Sequence, residues 1–242
     1  MKTVQVRKNV FLFLGALSFL TVLLGGCMKE STSSTPAVKT YLSLMHLAPR
    51  APAIEVYFDN NKASSAINSG TVASAYSALD PNMFAINFKK AGSDSVVASI
   101  GTNLYDSSKY YTLLLYNYDS THVSAVRIED DFSVLTNDKA YIRFFHMSPD
   151  IADVDLYFDN NLVIPGRQYA DNTTSNYWNQ FAAISPSSVN VYVKKAGSDS
   201  VIAQSTSSVY LNQANAYTIF LKGIKGGTGT NALTVDVLQA AD

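Results

Sequence analysis

His46 and His146 are the first residues whose chemistry must be decided, because an imidazole titrates near neutral pH, ligates metals and shuttles protons. His46 keeps step with Leu42 and Leu44, and His146 with Ile142 and Phe144. On a strand both therefore point inward, where each bonds backbone in the Pro-containing loop that follows. Two histidines in separate domains are also too far apart to chelate one ion, and His122 falls on a late loop without a counterpart. Asp150, Asp153 and Asp155 offer oxygens for calcium, which takes about six to eight. Their spacing lacks the glycine and terminal glutamate of an EF-hand loop, and alternation turns Asp153 and Asp155 to solvent. The matching positions Arg50, Ala53 and Glu55 could not rebuild such a site. No metal and no cofactor are expected. The nucleophile elbow, the zinc-protease helix motif and the phosphate-binding loop are missing from the chain, so no catalytic residue is assigned and no enzyme is expected. Gly226-Gly227-Thr228-Gly229 lies between two strand-like runs and reads as a flexible hairpin tip.

Aromatic side chains offer the other candidate chemistry. Most of the 15 tyrosines and 12 phenylalanines fall on strand-like runs, where they pack. Tyr177 and Trp178, with Phe181 nearby, lie in or beside an insertion. Exposed there, they would stack on sugars or anchor a protein partner; otherwise they fold back on the body of the protein. Of 242 residues 47% are apolar and 15% charged, which excludes intrinsic disorder for the bulk. Net charge is −1, and without the basic residues Lys2, Arg7 and Lys8 the balance is 15 cations against 19 acids. Such a chain has no electrostatic footprint for nucleic acid. A single cysteine, Cys27, excludes an intrachain disulfide.

The elements that position these residues come from a duplication. Tyr57-Phe58-Asp59-Asn60-Asn61 returns as Tyr157-Phe158-Asp159-Asn160-Asn161, and Lys89 to Val96 returns unchanged as Lys194 to Val201. The offset rises from 100 to 105 between the two matches, which puts a five-residue insertion within Asn160 to Gln180. Apolar residues alternate in both copies, as in Ile54/Val56/Phe58 and Val154/Leu156/Phe158, the period of strands with one buried face. Six to seven strands per copy predict an all-β protein of two tandem immunoglobulin-like β-sandwiches, alike in architecture only, since the Cys…Trp…Cys pattern is missing. The expected organisation is a signal segment 1–26, a tether 27–38, sandwiches 39–132 and 139–242, and a linker 133–138.

Leu24-Gly25-Gly26-Cys27, after a basic segment and an apolar run, resembles a bacterial lipobox. That likeness implies a lipid on Cys27, and because Met28 rather than aspartate follows, anchoring at the outer membrane. His146-Met147-Ser148-Pro149-Asp150 and Val154-Asp155-Leu156-Tyr157-Phe158-Asp159 resemble the bacterial family known as domain of unknown function 4397. The first copy departs from the pattern at Ala48, Arg50 and Glu55. The family implies extracytoplasmic sandwich domains, often on lipoproteins of the Bacteroidota, and no established activity. Asp94-Ser95-Val96 and Asp199-Ser200-Val201 are similar to the O-glycosylation signal of such exported proteins, which makes Ser95 and Ser200 candidate modification sites. The expected function is that of a lipid-anchored envelope protein working as a non-enzymatic binding, adhesion or scaffolding module. The alternative is a glycan-binding accessory of a carbohydrate-uptake system. Expected partners are the membrane, envelope proteins or glycans, and no nucleic acid.

Overall fold

The computed structural model describes residues 37–241; Cys27 and the segment around it lie outside them. From Val38 onward the chain is one compact unit. Eight strands form the first copy: β1 (Thr40–His46), β2 (Ile54–Phe58), β3 (Asn61–Lys62), β4 (Ser77–Leu79), β5 (Asn82–Lys90), β6 (Val96–Tyr105), β7 (Tyr110–Asn117) and β8 (Val123–Asp130). They make two four-stranded sheets, ordered β4-β1-β7-β8 and β3-β2-β5-β6. Ten strands form the second copy: β9 (Ala140–His146), β10 (Val154–Phe158), β11 (Asn161–Arg167), β12 (Ala182–Ile184), β13 (Ser187–Val189), β14 (Val191–Lys195), β15 (Val201–Gln204), β16 (Val209–Leu211), β17 (Ala216–Lys222) and β18 (Thr234–Ala241). Its sheets are β12-β9-β17-β18 and β11-β10-β14-β15, with a β13-β16 ribbon.

The chain is thus all-β, two tandem β-sandwiches. The immunoglobulin likeness holds for the layers. In strand order, each copy instead pairs its first strand in parallel with its penultimate one, β1 with β7 and β9 with β17. Both copies exceed the expected strand number for a local reason. β3, β4, β12, β13 and β16 hold only two or three residues, too few to display a period of two. β5 and β6 also reappear broken in the second copy, as β13/β14 and β15/β16.

Alternation fills a core inside each sandwich. Leu42, Ile54, Ile86, Phe88 and Leu113 meet in the first, and Ile142, Phe144, Leu156, Val191 and Ile219 in the second. A third core joins Met45, Leu47, Leu114 and Tyr116 of the first copy to Phe145, Met147 and Phe220 of the second. The sheets containing β1 and β9 therefore pack back to back, and the molecule is a stack of four layers rather than two free domains. β9 is buried at every position, one face in its own sandwich and the other against the neighbour.

Loops reinforce this contact. Thr230 approaches Gly70 so closely that a Cβ there would lie 2.0 Å from the Thr230 carbonyl oxygen. Asn231 donates to the Pro49 carbonyl at 3.0 Å and accepts from the Ser69 hydroxyl at 3.0 Å. The Gly226–Gly229 segment itself is at the surface, with Gly226, Thr228 and Gly229 exposed. The turn that follows it is docked on the other sandwich, where backbone and amide partners replace water.

Candidate functional site: a cleft at the edge of the second sandwich

The backbone equivalence of the copies locates the insertion. Gly70 and Ala170 both adopt left-handed backbone, φ +81° and +53°, and both donate their N–H to the preceding histidine carbonyl, of His46 and His146. Ser77 and Ala182 both pair with the second residue of their neighbour's inward face, Leu42 and Ile142. The five extra residues hence lie between 171 and 181, where the chain makes two 3-10 turns, Asp171–Thr173 and Asn176–Asn179.

These turns stand at the open edge between the sheets. Below them is a cleft of about 490 Å³ whose walls come from β9 (Ile142, Phe144), β11 (Val163, Ile164, Pro165) and β12 (Ala182). Its rim carries Tyr177, Trp178, Gln180 and Phe181. The corresponding edge of the first sandwich holds a cleft of about 310 Å³ with Leu42, Leu44, Ala63, Ser64 and Ser77 at matching places. Its Ser43 and Ile67 become Arg143 and Arg167 in the second copy.

Both guanidinium groups are buried, and both are neutralised. Arg167 grips Asp171 in a bidentate pair, its Nε 2.7 Å from Oδ2, and donates to the Phe144 carbonyl at 2.6 Å. Arg143 donates to Asp130 at 2.6 Å, to the Thr218 hydroxyl at 2.9 Å and to the Asn179 carbonyl at 3.3 Å. Asp130 belongs to the first copy and also accepts from Tyr76 and Thr112, so one buried network crosses between the sandwiches. Burial, with the Asp130 charge beside it, pushes the Tyr76 hydroxyl pKa upward.

The three ring residues fare differently. Trp178 is half-buried, its ring 4.1 Å from the Arg167 guanidinium. Phe181 is half-buried over Arg143 at 4.4 Å and leans on Phe132 at 5.6 Å. Tyr177 stays out, 72% exposed, with its ring edge-on to Trp178. The structure brings all three to one cleft rim but leaves a single ring free. Arg143, Arg167 and Asp171 escaped the sequence reading. The available signal was an arginine standing where the other copy has serine or isoleucine, visible only when the copies are laid side by side.

Both repeat histidines are fully buried, with Nε2 3.3 Å from the Pro52 carbonyl oxygen and 3.2 Å from that of Ala152. Desolvation lowers both pKa values, so each ring stays neutral at neutral pH. Asp150 and Asp153 are exposed, but Asp155 is buried, contrary to the alternation reading. Its carboxylate turns back to accept the Gly166 and Gly197 N–H groups at 2.7 and 2.9 Å, which takes the place of solvent. No cluster of three or more metal-ligating side chains occurs among the described residues. Ser95 and Ser200 are exposed at the β5–β6 and β14–β15 hairpins.

Among curated proteins none matches this chain. The family model described as Domain of unknown function (DUF4397) matches residues 40–157 and again 140–242. Over nearly the whole length from β1 to β18, and in two tandem copies, the chain belongs to that family.

Proposed function

We propose that this protein is a non-enzymatic binding module of the cell envelope, anchored by a lipid on Cys27 and engaging its partner at the cleft of the second sandwich. The observation that carries the reading is where the copies differ. Two arginines, an aspartate, Tyr177, Trp178 and the five-residue insertion all gather around one cleft, while Phe181 keeps the aromatic place of Tyr76 and the cores keep the same plan. Packing alone does not require this, since the first sandwich closes its core without them. The basic start, the apolar run and Gly25-Gly26-Cys27 support anchoring, and Met28 favours the outer membrane.

A photo-crosslinking residue placed at Tyr177 in the anchored protein should capture an envelope protein. The same residue at Tyr210, 64% exposed elsewhere, should not. Equal labelling from both positions, or from neither, removes the cleft as the binding place. Cys27→Ser should move the protein from the membrane to the soluble fraction. Glycan capture is the second reading and rests on the exposed Tyr177 ring, because Arg167 covers one face of Trp178. A glycan array whose signals survive Tyr177→Ala would dispose of it. Ser95 and Ser200 are proposed carriers of O-linked sugar, to be read as mass lost in a Ser95→Ala/Ser200→Ala variant.

A further inference from the structure

The charges and walls of the second-sandwich cleft restrict what it can hold. Two buried arginines would normally announce an anion site, yet each already faces a carboxylate, Asp130 or Asp171, and spends further N–H groups on Thr218, Asn179 and Phe144. A bound anion would have to displace one of those carboxylates or be buried beside it. Both are costly where water is scarce. With the charges cancelled, the remaining walls are hydrocarbon and ring faces: Ile142, Phe144, Val163, Ile164 and Pro165, with Trp178 at the rim. At about 490 Å³ the cleft falls within the range of small-ligand pockets, which are mostly apolar with a few polar groups at the edge. Gln180 and the Tyr177 hydroxyl supply that edge.

Resting on the reading of this cleft as the binding place, we infer that its ligand is a small uncharged aromatic molecule, seated between the sheets with its polar end at Tyr177 and Gln180. Phe144 and the Arg167 guanidinium are buried, Arg167 stacking on both Phe144 and Trp178, so the ring surface left open is that of Tyr177 and the uncovered side of Trp178, and these planes favour a flat guest over a branched one. The first sandwich, lacking these planes, binds it poorly.

Trp178 is the only tryptophan of the chain, so its emission reports this cleft directly. The unit from Val38 onward contains all three cores and is the protein to use. It would be titrated with the neutral fluorophore N-phenyl-naphthylamine and, separately, with its anionic relative anilinonaphthalene sulfonate. Saturable energy transfer from Trp178 to the neutral dye is expected, with weaker binding of the sulfonate. Ala182 and Ser77 line the matching clefts on exposed edge strands, so Ala182→Phe and Ser77→Phe fill one cleft each without touching a core. Ala182→Phe should weaken the neutral dye about tenfold or more, and Ser77→Phe by less than about twofold. Val163→Phe, which fills the cleft from the opposite sheet, should repeat the Ala182→Phe result. No saturable transfer, tighter binding of the sulfonate, or a loss caused by Ser77→Phe instead would each overturn the inference. A Tyr177 crosslink to an envelope protein without dye binding would retain the binding module and reject the small aromatic ligand.

Discussion

Glu55 and Asp155 occupy one repeat position and solve the same burial problem differently. Glu55 pairs with Lys62 at 2.7 Å, which holds its carboxyl below the usual carboxylate range, whereas the shorter Asp155 reaches only backbone N–H groups. The histidines carry a sharper consequence. Their folded pKa values lie below the unfolded value of about 6.5, so the unfolded chain binds more protons under mildly acidic conditions. The stability they confer is present above about pH 6.5 and is lost as pH falls below it. Urea midpoints should drop between about pH 7 and pH 5, and His146→Asn should flatten that drop by roughly half. Arg143→Met would leave Asp130 buried and unpaired at a cost of about 3–5 kcal/mol. Adding Asp130→Asn should recover part of it, because Tyr76 and Thr112 can still donate to the amide oxygen.

At the scale of elements, loops that look alike in sequence differ by what they touch. Gly92 (φ +70°) meets nothing within 4 Å of an added Cβ, and Gly70 (φ +81°) meets the Thr230 carbonyl at 2.0 Å. Gly92→Ala should cost about 1–2 kcal/mol for left-handed backbone alone. Gly70→Ala should cost at least about 2 kcal/mol more, because it also forces the docked loop away; denaturant melts of both variants would show the gap. Much of the element level was legible in the residues. Alternation located the longer strands, repeat offsets bracketed the insertion, and parity turned both histidines inward. The cleft was only half legible. Tyr177, Trp178 and Phe181 stood out by type, whereas Arg167 gave no local sign that Asp171 and the Trp178 ring would enclose it.

For the whole molecule, the third core makes the sandwiches interdependent. Met45 and Phe145, Leu47 and Met147, and Leu114 and Phe220 are pairs of equivalent positions, so the contact uses the same patch from each copy, as a two-fold dimer does. Unfolding should then be a single transition. The loss of Trp178 emission, local to the second copy, should coincide with far-ultraviolet dichroism, which reports both. Phe145→Ala should lower that one transition by about 3–5 kcal/mol rather than split it. Two separated transitions would mean that the inner sheets contribute little to each other's stability.

The residue pattern by itself determined the duplication, the all-β layers, the inward histidines and the rings at the insertion, because repeat identity and a period of two are local properties of a chain. Tertiary structure alone decided that the copies stand back to back, that the turn after the glycine-rich segment is docked, and that Arg143 finds its carboxylate partner, Asp130, on the other copy. Each of these depends on groups far apart in sequence, such as Ser69 with Asn231, or on both faces of one strand being covered. Alternation reports that a face is buried and is silent on which distant surface buries it.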